Sequence, residues 1–155
     1  MRGSPPLPRE FRLVPGRTFV DASVLVRLFD DDEPVRQAAA RALVGDLNGP
    51  ALVVSGPVLA EFAETVMVRL ARPLAPVAVR RALTELSELT VVSADASLVL
   101  AAADTAEEEE LGLRDALTLE AAVLGGCDRL ATEAMRHGTV LRGIHVEDPA
   151  FGGNE

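Results

Sequence analysis

The chain has 155 residues, 48% hydrophobic and 25% charged, which suits one globular domain and is too apolar for intrinsic disorder. Its formal net charge of -9 argues against indiscriminate binding to nucleic acid, where a basic footprint is expected. One cysteine excludes an intramolecular disulfide and, with only two histidines, a Cys₄ or Cys₂His₂ zinc site.

Residues 1–17 carry Pro5, Pro6, Pro8 and Pro15 among Arg2, Arg9, Arg12 and Arg17, and are expected as an irregular leader. Thr18-Phe19-Val20 reads as a buried strand, followed by Asp21 and a short helix through Val24-Leu25-Val26. Pro34 suits a first helical turn, and Val35 to Leu47 continues as helix until Asn48-Gly49-Pro50 stops it. Ala51-Leu52-Val53-Val54 is a second strand; Ser55 or Gly56 then caps a helix, with Pro57 near its start, running to about Ala71. Pro76 opens a helix to about Leu89, and Thr90-Val91-Val92 is a third strand. Asp95 caps the next helix, which reaches the glutamate run before Gly112. Leu113 to Leu124 is helical with Gly125-Gly126 as its stop. Asp128-Arg129-Leu130-Ala131 is a fourth strand and Val140 to Val146 a fifth. Such alternation implies a three-layer α/β fold, a short parallel sheet of about five strands flanked by helices. One domain over residues 18–151 and a tail at 152–155 are expected.

Several absences narrow the chemistry. All 15 basic residues are arginine, which removes a Schiff-base lysine, a Walker-type loop and a receiver-domain lysine. With no Tyr or Trp and five Phe, a base-stacking platform is not expected. No 18-residue apolar run and no signal-peptide stretch occur, so the expected compartment is the cytoplasm and no membrane partner is expected. The acidic excess is concentrated: Asp30 to Glu33 and Glu107 to Glu110 hold eight acids, leaving 16 acids against 15 arginines elsewhere. A local basic patch is therefore compatible with the net charge.

Three acids sit where chemistry is commonly done. Asp21 follows the first strand directly, at the strand end where ligands gather in open parallel sheets; a helix cap is an equal reading of it alone. Glu61 lies in the apolar run Val58 to Phe62, with Glu64 three residues on and on roughly the same face. Asp115 falls at a helix beginning, where interaction with the helix N-terminus explains it equally well. If the three converged, they would hold a hard divalent cation through oxygen.

Thr18 to Val26 resembles the opening strand and first acid of PIN-domain ribonucleases. Ser55-Gly56-Pro57-Val58-Leu59-Ala60-Glu61-Phe62 resembles that family's second motif, Leu113-Arg114-Asp115-Ala116-Leu117 its third, and Leu130-Ala131-Thr132-Glu133 with Gly138 its fourth. The match is in family order over about residues 18 to 151, and bacterial VapC-type toxins are the most similar members. The resemblance implies a ribonuclease that hydrolyses RNA phosphodiester bonds with Mg²⁺ or Mn²⁺, with Asp21 and Asp115 as principal ligands and Glu61 acting directly or through water. It also implies a homodimer and a cognate antitoxin.

The fourth motif departs from the family pattern, for Thr132-Glu133-Ala134 replaces Thr-x-Asp. Glu133 is the candidate to supply the missing acid from the next position, and Asp128 is a poorer one. Ser23 and Thr132 are expected to support carboxylates or water, turn and cap roles serving equally. Arg136 and His137, with Arg69, Arg72, Arg80 and Arg81, are candidates for RNA-backbone contacts or a solvated surface. Cys127 reads as a small buried hydrophobe. Glu120, five residues past Asp115, points away from it. The alternatives to an active nuclease are a weakened or inactive PIN-like module binding RNA or protein, and an acidic surface for a basic partner.

Overall fold

The computed structural model describes residues 16–152. The expected leader, apart from its last two residues, and the tail beyond residue 152 lie outside them. Strand β1 (Arg17–Val20) leads into a single helical turn, α1 (Ala22–Leu25), and a 3₁₀ turn over Val26–Phe29. Then come α2 (Pro34–Gly45), β2 (Ala51–Ser55), α3 (Gly56–Glu64), α4 (Pro76–Leu86) and β3 (Thr90–Val92). Helices α5 (Ala96–Glu109) and α6 (Leu113–Leu124) precede β4 (Arg129–Ala131), β5 (Val140–Leu141) and β6 (Ile144–Glu147).

The sheet order is β3-β2-β1-β4-β6-β5, parallel except for the antiparallel β5–β6 pair. Strands of a parallel sheet are covered on both faces, which is why β1, β2 and β4 carry consecutive apolar residues, Phe19-Val20, Leu52-Val53-Val54 and Leu130-Ala131. Phe19, Val20, Val53, Val54, Leu130 and Val146 are inaccessible to solvent. Leu25, Phe62 and Leu119 from the helices are equally buried against them. Among the described residues no helix is long and apolar enough to cross a membrane.

The caps follow the expected chemistry. Ser55 Oγ accepts from the Val58 N–H at 3.2 Å, and Asp95 Oδ1 from that of Leu98 at 3.0 Å. At the end of α6 the Gly126 and Cys127 amides bond back to Val123 and Ala122, with Gly126 at φ 72°. That is a Schellman stop.

Three elements differ from expectation. The fifth strand is two strands, because Arg142 (φ 51°) and Gly143 (φ 77°) both take positive φ and fold the segment into a tight hairpin. The sheet therefore has six strands. Helix α2 ends at Gly45, and Leu47 is 98% exposed with no core to continue into. Helix α3 passes at Thr65 into a π-helical turn, Thr65–Arg69, with the Leu70 N–H bonded to the Thr65 carbonyl at 3.2 Å.

Candidate active site

Because β1, β2 and β4 are parallel, the residues that follow them emerge on one edge of the sheet. Asp21 is the first residue past β1, and its N–H donates to the Ala131 carbonyl on β4 at 3.0 Å. Its own carbonyl accepts from Val24 and Leu25, so the main chain starts α1 while the side chain makes no capping bond. The carboxylate is occupied elsewhere. Ser23 Oγ donates to Oδ2 at 2.8 Å and Thr132 Oγ1 donates to the same oxygen at 2.7 Å. Thr132 is fully buried and Asp21 is 7% exposed, an environment in which hydroxyl-to-carboxylate bonds are short and strong. Among the described residues, Asp21 Oδ1 makes no hydrogen bond, and no fully buried polar side-chain atom lacks a partner. Oδ1 therefore keeps access to solvent.

Glu61 on α3 and Asp115 in the first turn of α6 lie within electrostatic reach of Asp21. Burial pushes the Glu61 carboxyl above its ordinary value; Asp21 adds to the rise, Asp115 adds less, and Arg114 and Arg69 oppose it. Burial likewise raises Asp115, again with help from Asp21 and against Arg114. Glu61 and Asp115 are thus disfavoured as charged groups, by burial first and by the neighbouring Asp21 second. The nearest cation is Arg114, whose Nη1 lies 3.4 Å from Glu61 Oε2 on a largely exposed side chain. Among the described residues, no three His, Cys, Asp or Glu side chains are drawn together closely enough to enclose a metal ion as they stand. Mg²⁺ characteristically keeps several waters and is held by one or two carboxylates plus substrate phosphate, not by an all-protein cage. The donor set is all hard oxygen, and it fits. Asp21, Glu61 and Asp115 are the residues that would hold such an ion.

The other expected residues are placed differently. Glu133 is engaged by Arg27 and Arg36 through its carboxylate. Ala134 is exposed, and its N–H donates to Thr132 Oγ1 at 3.0 Å. Asp128 precedes β4 and so lies at the opposite edge of the sheet. Glu64 is exposed, apart from half-buried Glu61. His137 is turned inward, its Nδ1 accepting from the Asp148 N–H at 3.0 Å and its ring stacked on Phe151 at 3.8 Å; Arg136 is exposed. Arg72 pairs with Asp32, and Arg80 and Arg81 lie away on α4. Cys127 is buried, and burial pushes its thiol up to about 11. Glu120 does point away from Asp115, but into the protein: it is 4% exposed, bonded by Thr105 and by Arg142.

An open cleft of about 500 Å³ borders the acids, with Ser23, Arg27, Glu61, Arg69 and Glu133 on its walls. Asp21 and Asp115 are not among its lining residues, so the cleft approaches the cluster from the Glu61 side. Sequence reasoning did not single out Arg27, Arg36 or Arg114. Only Arg114 carried a signal, its place beside Asp115.

The fold is a mostly parallel α/β sheet flanked by helices, with Asp21, Glu61 and Asp115 within electrostatic reach of one another. The PIN-domain family model matches residues 18–134, and the chain belongs to that family. It is similar in structure to VapC20 of Mycobacterium tuberculosis, described as a sarcin–ricin-loop-cleaving toxin, at 24% identity and TM-score 0.60 over 74% of this chain and 88% of that one. It is also similar to a toxin–antitoxin complex from Klebsiella pneumoniae, at 20% identity and TM-score 0.62 over 85% and 97%. VapBC2 of Rickettsia felis, solved with a promoter DNA fragment, gives 16% and 0.57 over 84% and 97%. At such identities the likeness is one of fold. No curated protein matches the chain.

Proposed function

We propose that the chain is a divalent-metal-dependent endoribonuclease, the toxin of a toxin–antitoxin pair, acting in the cytoplasm as a homodimer. One observation carries the reading: Asp21, Glu61 and Asp115, from three separate elements, lie within electrostatic reach of one another beside an open cleft, with burial and the charge of Asp21 holding the Glu61 and Asp115 carboxyls above their ordinary range. Membership of the PIN family and likeness in fold to toxin structures support it. When bound, Mg²⁺ or Mn²⁺ supplies charge neutralisation at phosphate and an acidified water. The protein contributes the rest. Asp21 is held by Ser23 and Thr132 so that one carboxylate oxygen stays available. Glu61 and Asp115 complete an oxygen ligand set, and Arg114 and Arg69 offset its charge beside Glu61. Arg136, at the exposed surface, is proposed to contact the RNA backbone; His137 contributes by ordering the adjoining chain.

The test is cleavage of single-stranded RNA and structured RNA loops by purified protein. EDTA should abolish activity and Mn²⁺ restore it. Activity that survives chelation, with contaminating metal-independent ribonucleases excluded, refutes the proposal. A parent protein that binds Mn²⁺ without cleaving any RNA would favour the non-catalytic reading, for which Ala134 in place of the customary acid is the specific observation.

A further inference from the structure

The carboxylate of Glu133 is the meeting point of an ion cluster. Arg27 Nε donates to both oxygens at 3.2 and 3.1 Å and Nη2 to Oε1 at 2.9 Å, while Arg36 Nη1 lies 3.2 Å from Oε2. Each arginine has a second anchor, Asp30 at 2.5 Å for Arg27 and Asp148 at 3.3 Å for Arg36. The 3₁₀ turn, α2 and the segment after β6 are thereby tied to one residue. All four partner side chains are mostly buried, and a forked arginine–carboxylate pair in a network is the geometry in which an ion pair contributes most.

The backbone of the same residue reaches the site. The Glu133 N–H donates to Ser23 Oγ at 3.0 Å, and the Ala134 N–H donates to Thr132 Oγ1 at 3.0 Å. A hydroxyl has one proton to give. The two hydroxyl oxygens also lie 3.4 Å apart, but with an amide filling an acceptor position on each, the shorter contacts at 2.8 and 2.7 Å direct both protons to Asp21 Oδ2.

We infer that the Arg27–Glu133–Arg36 cluster is a positioning unit for Asp21. By fixing the segment Thr132 to Ala134 it keeps two amides on Ser23 and Thr132, whose hydroxyls clamp Oδ2 and leave Oδ1 uncommitted. Glu133 is then a positioning residue and not a metal ligand. The inference rests on the metal-nuclease reading and adds residues to its site.

Glu133→Gln tests it in the full-length protein. In the metal-free state, hydrogen exchange at the Glu133 and Ala134 amides should accelerate while β1, β2 and α6 keep their protection. Mn²⁺ affinity, titrated without RNA, should fall about tenfold, the lower end for groups that orient a metal-binding residue. The turnover number should fall with KM for RNA unchanged. If Glu133→Gln fails to fold, Arg36→Gln, outside the cleft lining, is read in the same way. Weakened Mn²⁺ binding with unchanged amide exchange makes Glu133 a ligand and overturns the inference. Faster exchange with unchanged Mn²⁺ affinity makes the cluster merely structural and overturns it too. A parent that itself binds no Mn²⁺ refutes the metal reading, and the inference falls with it.

Discussion

Asp115→Asn should weaken the protein's metal response while leaving the metal-free fold as stable or more so. Two effects oppose each other at this position. A carboxylate in the first turn of α6 gains about 0.3–1 kcal/mol from the helix N-terminus. Burial and the charge of Asp21 work against it and hold its carboxyl above the ordinary range, with Arg114 opposing them. Asparagine removes the charge and keeps the shape. In EDTA the melting temperature should therefore hold or rise by up to about 3 °C, given about 2–4 °C per kcal/mol in a chain of this size. Mn²⁺ at about a hundred times its dissociation constant stabilises the parent by about 2.7 kcal/mol, or about 6–10 °C. A site weakened about a hundredfold retains only about 0.4 kcal/mol at the same concentration, or about 1 °C. The pH dependence carries the same sign. A carboxyl with a raised folded-state pKa binds more protons in the native state, so its contribution is present at low pH. It is lost as pH climbs from the ordinary carboxylate range through the raised value. The metal-free variant should accordingly lose less stability than the parent over that interval. Thermal melts with EDTA and with Mn²⁺, repeated across pH, measure all of this. A fall of more than about 5 °C in EDTA, with the Mn²⁺ shift intact, would mean that Asp115 serves the helix and not a metal.

Glu120→Gln should cost stability without touching turnover: it loses the ion pair to half-exposed Arg142 but keeps an acceptor for Thr105, a penalty of about 1 kcal/mol. Arg142's hydrogen bond is the main cause of the lowered Glu120 pKa, so that contribution fades as pH falls below the ordinary carboxylate range, visible in melts at pH 7 and pH 3. Ala134→Asp adds an acid next to the Thr132 that holds Asp21, and should leave the protein less stable in EDTA, more stabilised by Mn²⁺ and more active on RNA. No change in any of the three would make a fourth acid dispensable here.

The strands and most helix limits were legible because a sheet buried on both faces writes itself as short apolar runs, and because Ser55, Asp95 and Gly126 terminate helices by local chemistry. Asp21 stood out as a candidate because it follows β1 directly, where parallel topology gathers the chain's connections on one edge; Glu61 and Asp115 stood out by their places on α3 and at the start of α6. What could not be read was pairing at a distance. Arg27 and Glu133 are 106 residues apart, and neither position carries a local mark of the other. Glu120 was read only as pointing away from Asp115; its burial could not be read because its partner, Arg142, stands in a later turn. That turn was itself hidden, since Arg-Gly lacks the Asn-Gly or Asp-Gly signature of a two-residue hairpin.

The π-helical turn after α3 has a geometric consequence for the cleft. Arg69 lies eight residues beyond Glu61, and in a regular α-helix eight residues overshoot two full circles by about 80°. The i→i+5 winding of Thr65–Arg69 advances less per residue, so the lag cancels much of that overshoot. Both side chains consequently border one concavity, and the arginine's field reaches the glutamate. A helix of uniform pitch would turn this cation aside from Glu61. The irregular turn lets one continuous segment present both signs of charge, so that a polyanion entering the cleft meets a guanidinium beside the acids.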